Sequence, residues 1–135
     1  MKFSYVAHGI LRITTAFMFW QHGAQKLFGW LDGNAVDAWL SWPRGIAGLL
    51  EFFGPLFILV GFKTRWVAFI LCGQMAVTYW WRHAFAQGVF WPIGNGGERA
   101  YLFCFIFLFL WAAGPGAFSL DEKLAKDDGA DGEAG

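Results

Sequence analysis

The chain has 135 residues, enough for one domain, and 57% of them are apolar while only 15% are charged. Soluble domains are typically about 25% charged and 45–50% apolar, so this composition indicates more apolar surface than one small soluble core can hide. The formal net charge is zero and the basic residues are scattered singly, which excludes nucleic acid as a partner.

Four apolar stretches predict four membrane-spanning helices. They run roughly from Tyr5 to Gly29, from Gly45 to Phe62, from Thr64 to Trp81 and from Gly97 to Ala113. A helical span needs about 17–25 residues at a rise of 1.5 Å per residue. The predicted fold class is therefore all-α, an integral membrane four-helix transmembrane bundle formed by residues 1–114 and surrounded by the lipid bilayer.

The segments outside the helices suggest an orientation. Two longer loops, residues 30–44 and 82–96, lie on one side of the predicted bundle, and both are rich in Trp. The other side holds both termini and slightly more Lys and Arg, so we expect the termini in the cytoplasm. Residues 115–135 carry six acidic residues and two lysines, and they are expected to form a disordered acidic tail.

The first predicted helix carries a polar stripe that includes Arg12, His22 and Lys26. Charge at membrane depth is costly unless it faces a partner or a wet cavity, so this stripe is expected to face the bundle interior. Glu51 on the second helix is the predicted partner of Lys26 or His22, while Arg12 lies deeper. Gln74 on the third helix is also expected to point inward.

Further polar residues follow the membrane segments on the side of the two loops. Arg82, Asn95 and Glu98 are expected to rim the same cavity, together with Arg44, His83 and Arg99. Cys72 and Cys104 lie inside apolar runs without a C-x-x-C spacing, so we interpret them as core residues rather than as a disulfide or dithiol site. The sequence predicts no metal site.

Three segments resemble the DoxX family of small four-helix membrane proteins. The first is Arg12 followed by GAQKLFG at residues 23–29. The second is EFFG at residues 51–54, followed by GFKTR at residues 61–65. The third is NGGE at residues 95–98, with GPG at 114–116 and SLD at 119–121. In this order, the segments extend the resemblance over nearly the whole chain before the tail.

The resemblance implies a bacterial inner-membrane protein, a subunit of a respiratory or redox complex linked to quinone. Lys26 or His22 would donate a hydrogen bond to a quinone oxygen, and Glu51 or His22 would take or give the proton. The cofactor-binding candidates are Arg12, Gln74, Glu98, Asn95 and Arg82. No covalently bound cofactor is expected, and the chain would be at most an oxidoreductase subunit whose electrons come from a protein partner.

Two other functions remain open from the sequence. In the first, the protein is a non-enzymatic scaffold or anchor for a soluble redox partner, and its internal charges are structural braces. In the second, it is a transporter of a small solute or of protons, although the chain shows no internal repeat of the kind that many transporters have. A homo-oligomer would enlarge the small cavity of four short helices.

Overall fold

The computed structural model describes residues 2–126, and all the regular secondary structure in that range is helical. The long helices are α1 (Lys2–Phe28), α2 (Arg44–Val60), α3 (Thr64–Thr78) and α5 (Glu98–Ala113), with a short α4 (Pro92–Asn95) before the last of them. Residues 120–126 form a further helical segment. The predicted all-α class and its four main helices are confirmed, with ends that shift by a few residues.

The third helix is longer than predicted. After Thr78 the chain continues without a break into a wider π-helical segment, Tyr79–Phe85, which places Arg82 and His83 on a helix rather than in a loop. The part of the predicted loop that precedes α2, residues 30–43, contains turns but no helix. It folds back on the end of α1, because Val36 N donates to the carbonyl of Lys26 at 2.7 Å.

The long helices are arranged as two pairs around one core. α1 packs along α2, and α3 packs along α5. Phe19 of α1 joins the pairs, since its ring centroid lies 5.0 Å from those of Phe103 and Phe107 on α5. Ile58 of α2 and Leu71 of α3 are fully buried in the same core.

The segment after α5 packs against the bundle. Ala117 is buried, and the carboxylate of Asp121 accepts hydrogen bonds from the backbone N–H groups of Lys63 at 2.8 Å and Thr64 at 2.9 Å, at the start of α3. The described structure therefore continues past residue 114, after which the tail was predicted, to the helical segment that ends at residue 126. The rest of the predicted disordered tail, residues 127–135, lies outside the described residues.

Among residues 2–126, none of the helices is both long enough and apolar enough to cross a membrane.

Candidate binding cleft

Lys26 and Glu51 form an ion pair between α1 and α2. The Nζ atom of Lys26 lies 2.5 Å from Oε2 of Glu51, so the predicted pairing with Lys26 is confirmed. The two helices come this close because Gly23 has no side chain: a Cβ there would overlap backbone atoms of Glu51 and Phe52. Lys26 follows Gly23 by three residues and shares its helix face, which directs the ammonium group toward Glu51.

Gln74 of α3 completes a three-residue cluster around the same carboxylate. Its Nε2 atom donates to Oε2 of Glu51 at 3.2 Å. The side chain of Glu51 is only 4% exposed, whereas that of Lys26 is 28% exposed. The Oε1 atom of Gln74 is buried without a hydrogen-bond partner within residues 2–126. In the Lys26–Glu51–Gln74 cluster, the buried carboxylate of Glu51 is therefore paired with an ammonium group and an amide N–H. The Oε1 atom of Gln74 can still accept a hydrogen bond from a ligand.

A cleft of about 480 Å³ opens between α2 and α3 beside this cluster. Lys26 and Gln74 line it and form a polar patch. The remaining wall residues on the two helices are mostly apolar and include Ile46, Ala47, Leu50, Ile70, Gly73, Val77 and Thr78. A Cβ at Gly73 would meet no atom within 4 Å, so that stretch of α3 leaves the cleft open.

Aromatic and basic side chains form the rest of the lining. The rings of Trp42 and Trp81 lie 6.0 Å apart with an interplanar angle of 27°, and both line the cleft together with Arg44, Arg82 and His83. Arg44 is held in place, because its Nη2 donates to the carbonyl of Asn34 at 2.6 Å. Arg82, a predicted cofactor-binding residue, thus lies at the same cleft as Lys26 and Gln74.

The structure places Arg12 away from the cleft. Its buried guanidinium donates to the carbonyls of Pro115 at 2.5 Å, Ala117 at 2.9 Å and Phe118 at 2.9 Å. Arg12 precedes Lys26 by fourteen residues, which corresponds to roughly 21 Å along a helix. Its observed contacts fasten the segment after α5 to α1 and do not reach the cluster.

His22, Asn95 and Glu98 also do not line the cleft. The His22 ring packs against the rings of Phe19 and Phe103, at centroid distances of 6.4 and 6.0 Å. Asn95 is buried, and its side chain bonds within its own loop and to Tyr79. Glu98 is an exposed residue in the first turn of α5. The sequence therefore predicted the contact between Lys26 and Glu51 and the inward position of Gln74 correctly, but it placed His22, Asn95 and Glu98 at a cavity that they do not line.

One known protein family matches more than half of this chain. A family model described as DoxX matches residues 7–84. The chain belongs to the DoxX family. An uncharacterized protein of Haemophilus influenzae is 38% identical over 123 residues, which cover 86% of this chain and 89% of that protein. No solved structure matches the chain.

The part of the chain that matches the DoxX model contains the whole cluster. Residues 7–84 include Lys26, Glu51 and Gln74, and also Arg82 and His83 of the cleft lining. Asn95 and Glu98 lie beyond that range. In this DoxX-family chain all the residues that line the cleft thus lie within the segment that matches the family model.

Sequence reasoning missed several features that the structure brings together. Trp42, Gly73 and Trp81 were not recognised as cleft residues, although the Trp-rich loops signalled aromatic surroundings. The hydroxyl of Tyr79 donates to the carbonyl of Phe90 at 2.8 Å and so fixes the loop before α4. The two cysteines are in contact, which no spacing in the sequence could show.

Proposed function

We propose that this DoxX-family chain is a membrane-embedded subunit of a redox complex and that its cleft binds the head group of a quinone. The cleft itself carries the proposal: its walls are largely apolar, and Lys26 and Gln74 form a polar patch within it. An amphipathic ring with hydrogen-bonding oxygens matches this combination.

The apolar surface of the bundle supports membrane embedding. Phe17 of α1, Phe69 of α3 and Phe105 of α5 are 56%, 58% and 51% exposed. Monomeric soluble proteins rarely expose large contiguous apolar patches, and here the apolar surface extends over several helices. In this arrangement the protein lies in the bacterial inner membrane with both termini in the cytoplasm.

The distribution of tryptophan agrees with embedding. Trp is favoured at membrane–water interfaces, where its ring is apolar and its N–H can remain wet. One group of exposed Trp side chains lies in and near the two long loops and another lies at the far ends of α3 and α5: Trp30, Trp42, Trp81 and Trp91 in the first, Trp66 and Trp111 in the second. The helices between these groups would lie in the apolar layer.

The residues of the cleft fit a quinone. The ammonium group of Lys26 can donate a hydrogen bond to one quinone oxygen, and the amide of Gln74 can serve either an oxygen or a hydroxyl group. Trp42 and Trp81 offer flat apolar surfaces. Ile70 and Val77, which line the cleft, are 51% and 55% exposed, so an apolar tail would leave the cleft sideways between α2 and α3.

The chemistry divides between this chain and its partner. A bound quinone accepts two electrons and two protons. In this proposal, Lys26 donates a hydrogen bond that orients the head group, Glu51 behind it takes up protons and passes them on to the quinone, and Gln74 holds the Glu51 carboxylate in position. The electrons come from a protein partner.

A thermal-shift experiment on the detergent-purified chain tests the binding site. A ligand that binds only the folded state raises the melting temperature with concentration. We expect a decyl-substituted benzoquinone to raise the melting temperature of the wild type and of Ala7→Leu, an exposed control. Gly73→Leu fills the open stretch of α3 and should abolish the shift. Equal shifts in all three proteins, or none, would contradict the proposed site.

If the protein is a non-enzymatic scaffold, the same thermal-shift experiment should give a different result. Glu51 accepts hydrogen bonds from both Lys26 and Gln74, and such a cluster can also be a structural brace. If no quinone shift occurs and Lys26→Met lowers the melting temperature strongly, the brace explains the cluster.

Membrane embedding is tested separately: the protein should remain in the membrane fraction after a carbonate wash, and release by carbonate would contradict it.

A further inference from the structure

Cys72 of α3 and Cys104 of α5 lie side by side, outside the cleft. Their Sγ atoms are 3.8 Å apart, and both side chains are partly exposed while packing against the core. These are the two cysteines of the chain, so each thiol has the other as its only possible partner within the molecule.

The packing of α3 on α5 explains this contact. Ala68 precedes Cys72 by four residues, and Ala100 precedes Cys104 by four, so each helix presents two small residues on one face. Ala68 is fully buried and Ala100 is 7% exposed. Small residues at this spacing allow helices to approach closely, and the thiols meet in the same seam.

We propose that Cys72 and Cys104 are a dithiol site that a hydroperoxide oxidises to a disulfide joining α3 to α5. The Sγ atoms of a disulfide are about 2.05 Å apart, so closure needs a shift of roughly 1.7 Å from the observed 3.8 Å. In this proposal, rotation of the two side chains within the seam brings the sulfur atoms together. Their partial exposure gives a small oxidant access.

The reaction balances without any group beyond the two thiols and the peroxide. One thiol attacks a peroxide oxygen, the O–O bond breaks, and a water molecule leaves to give a sulfenic acid. The second thiol attacks that sulfur, the S–S bond forms, and a second water leaves. Two thiols and one hydrogen peroxide thus give one disulfide and two waters, and a dithiol reductant reverses the oxidation.

A core-filling role for the cysteines makes a different prediction. Cysteines that serve only as small apolar residues would react with peroxide independently and without a common product. In a dithiol site the two thiols disappear together and return together on reduction. The disulfide would also tie α3, which carries Gln74, to α5.

The experiment uses the full chain in detergent, first reduced and then treated with hydrogen peroxide or with buffer. Each sample is denatured and labelled with a maleimide polymer that adds a visible gel shift for each free thiol. We expect two labels on the reduced wild type and none after peroxide, with both restored by dithiothreitol. Cys72→Ser and Cys104→Ser cannot close the disulfide, so any oxidation of the remaining thiol should add oxygen mass and should not give a product that is lighter by two hydrogens.

Either of two results would overturn the proposal. The wild type could keep both labels at doses that oxidise exposed thiols of a control peptide, or it could lose them irreversibly at the same rate as the single variants. Intact mass gives a second readout, since the oxidised wild type should be lighter by two hydrogens and not heavier by oxygen. Quinone plays no part in this measurement, so its outcome is independent of the function proposed for the cleft.

Discussion

The Nζ atom of Lys26 lies 2.5 Å from the Glu51 carboxylate, although 25 residues separate them in the chain. The contact depends on the close approach of α1 and α2 at Gly23, where even one added carbon would meet the opposite backbone. The ion pair is thus a consequence of helix packing, and it sets the polar end of the cleft.

Removal of the Lys26 ammonium group should destabilise the protein more than neutralisation of Glu51. Lys26→Met leaves a carboxylate that is only 4% exposed without its cation, and breaking a buried ion pair in this way costs about 3–5 kcal/mol. Glu51→Gln leaves Lys26, which is more exposed and can reach water, and Gln still accepts a hydrogen bond. Thermal unfolding in one detergent should rank the variants in this order.

The double variant Lys26→Met with Glu51→Met provides the control for this prediction. Replacing a whole buried ion pair by apolar residues is often close to neutral, so the double variant should be more stable than Lys26→Met alone. If Lys26→Met has no cost, or if the double variant is the least stable of the three, the pair does not brace α1 against α2.

Two glycine variants separate helix packing from the cleft. In Gly23→Ala the new methyl group overlaps the backbone of α2, and overpacking of this kind costs about 1–3 kcal/mol. In Gly73→Ala the methyl group meets no atom within 4 Å, and Ala is favoured over Gly inside a helix by about 0.5–1 kcal/mol. The melting temperature should therefore fall in the first variant and rise slightly in the second.

The opposite changes in melting temperature expected for Gly23→Ala and Gly73→Ala test the packing at the two positions. A fall in melting temperature for Gly73→Ala would mean that this position is packed rather than open. An unchanged melting temperature for Gly23→Ala would mean that α1 and α2 are not in close contact there.

The sequence predicted the helices from local patterns, and it predicted the ion pair because a buried charge needs a partner. Long apolar runs bounded by Gly, Pro and charge define the helices, and isolated charges in apolar helices need partners. Glu51 faces opposite charge on the neighbouring helix, so the sequence left Lys26 and His22 as its two candidate partners. Gln74 was expected to face inward for the same reason.

The remaining contacts depend on packing that one sequence does not encode locally. Three of the acceptors of Arg12 are backbone carbonyls more than a hundred residues away, and backbone carbonyls have no signature in side-chain patterns. His22 shares the polar stripe of Lys26, yet its ring packs against Phe103 because α5 covers that side of α1. Cys72 and Cys104, 32 residues apart, are in contact through the same kind of packing.

Arg12 should hold the segment after α5 on the bundle. Arg12→Lys keeps the charge but loses the planar fork that reaches three carbonyls of the segment after α5, and hydrogen bonds to a charged group contribute about 1.5–3 kcal/mol each. We expect a lower melting temperature and faster protease cleavage between residues 115 and 119. Arg99→Lys, at an exposed position, is the matched control and should behave like the wild type. Equal cleavage rates in both variants would contradict this role.

Asp121 should stabilise the start of α3. Its carboxylate accepts hydrogen bonds from the N–H groups of Lys63 and Thr64, and loss of a helix cap typically costs about 1 kcal/mol. Asp121→Ala should lower the melting temperature and speed amide hydrogen exchange at residues 63 and 64. Glu122→Ala, the neighbouring acid, should leave exchange at those amides unchanged, and a matching acceleration there would point to a general effect of tail charge.

Photolabelling tests the central claim, a quinone site in the cleft, most directly. An azido-quinone is bound to the full chain in native membranes and activated by light, and the labelled peptides are identified by mass spectrometry. We predict saturable labelling on peptides that carry the α2 and α3 walls, around residues 42–50 and 70–82, displaced by an unlabelled quinone and lost in Gly73→Leu. Labelling that is not saturable, or that concentrates on helix faces away from the cleft, would contradict the account.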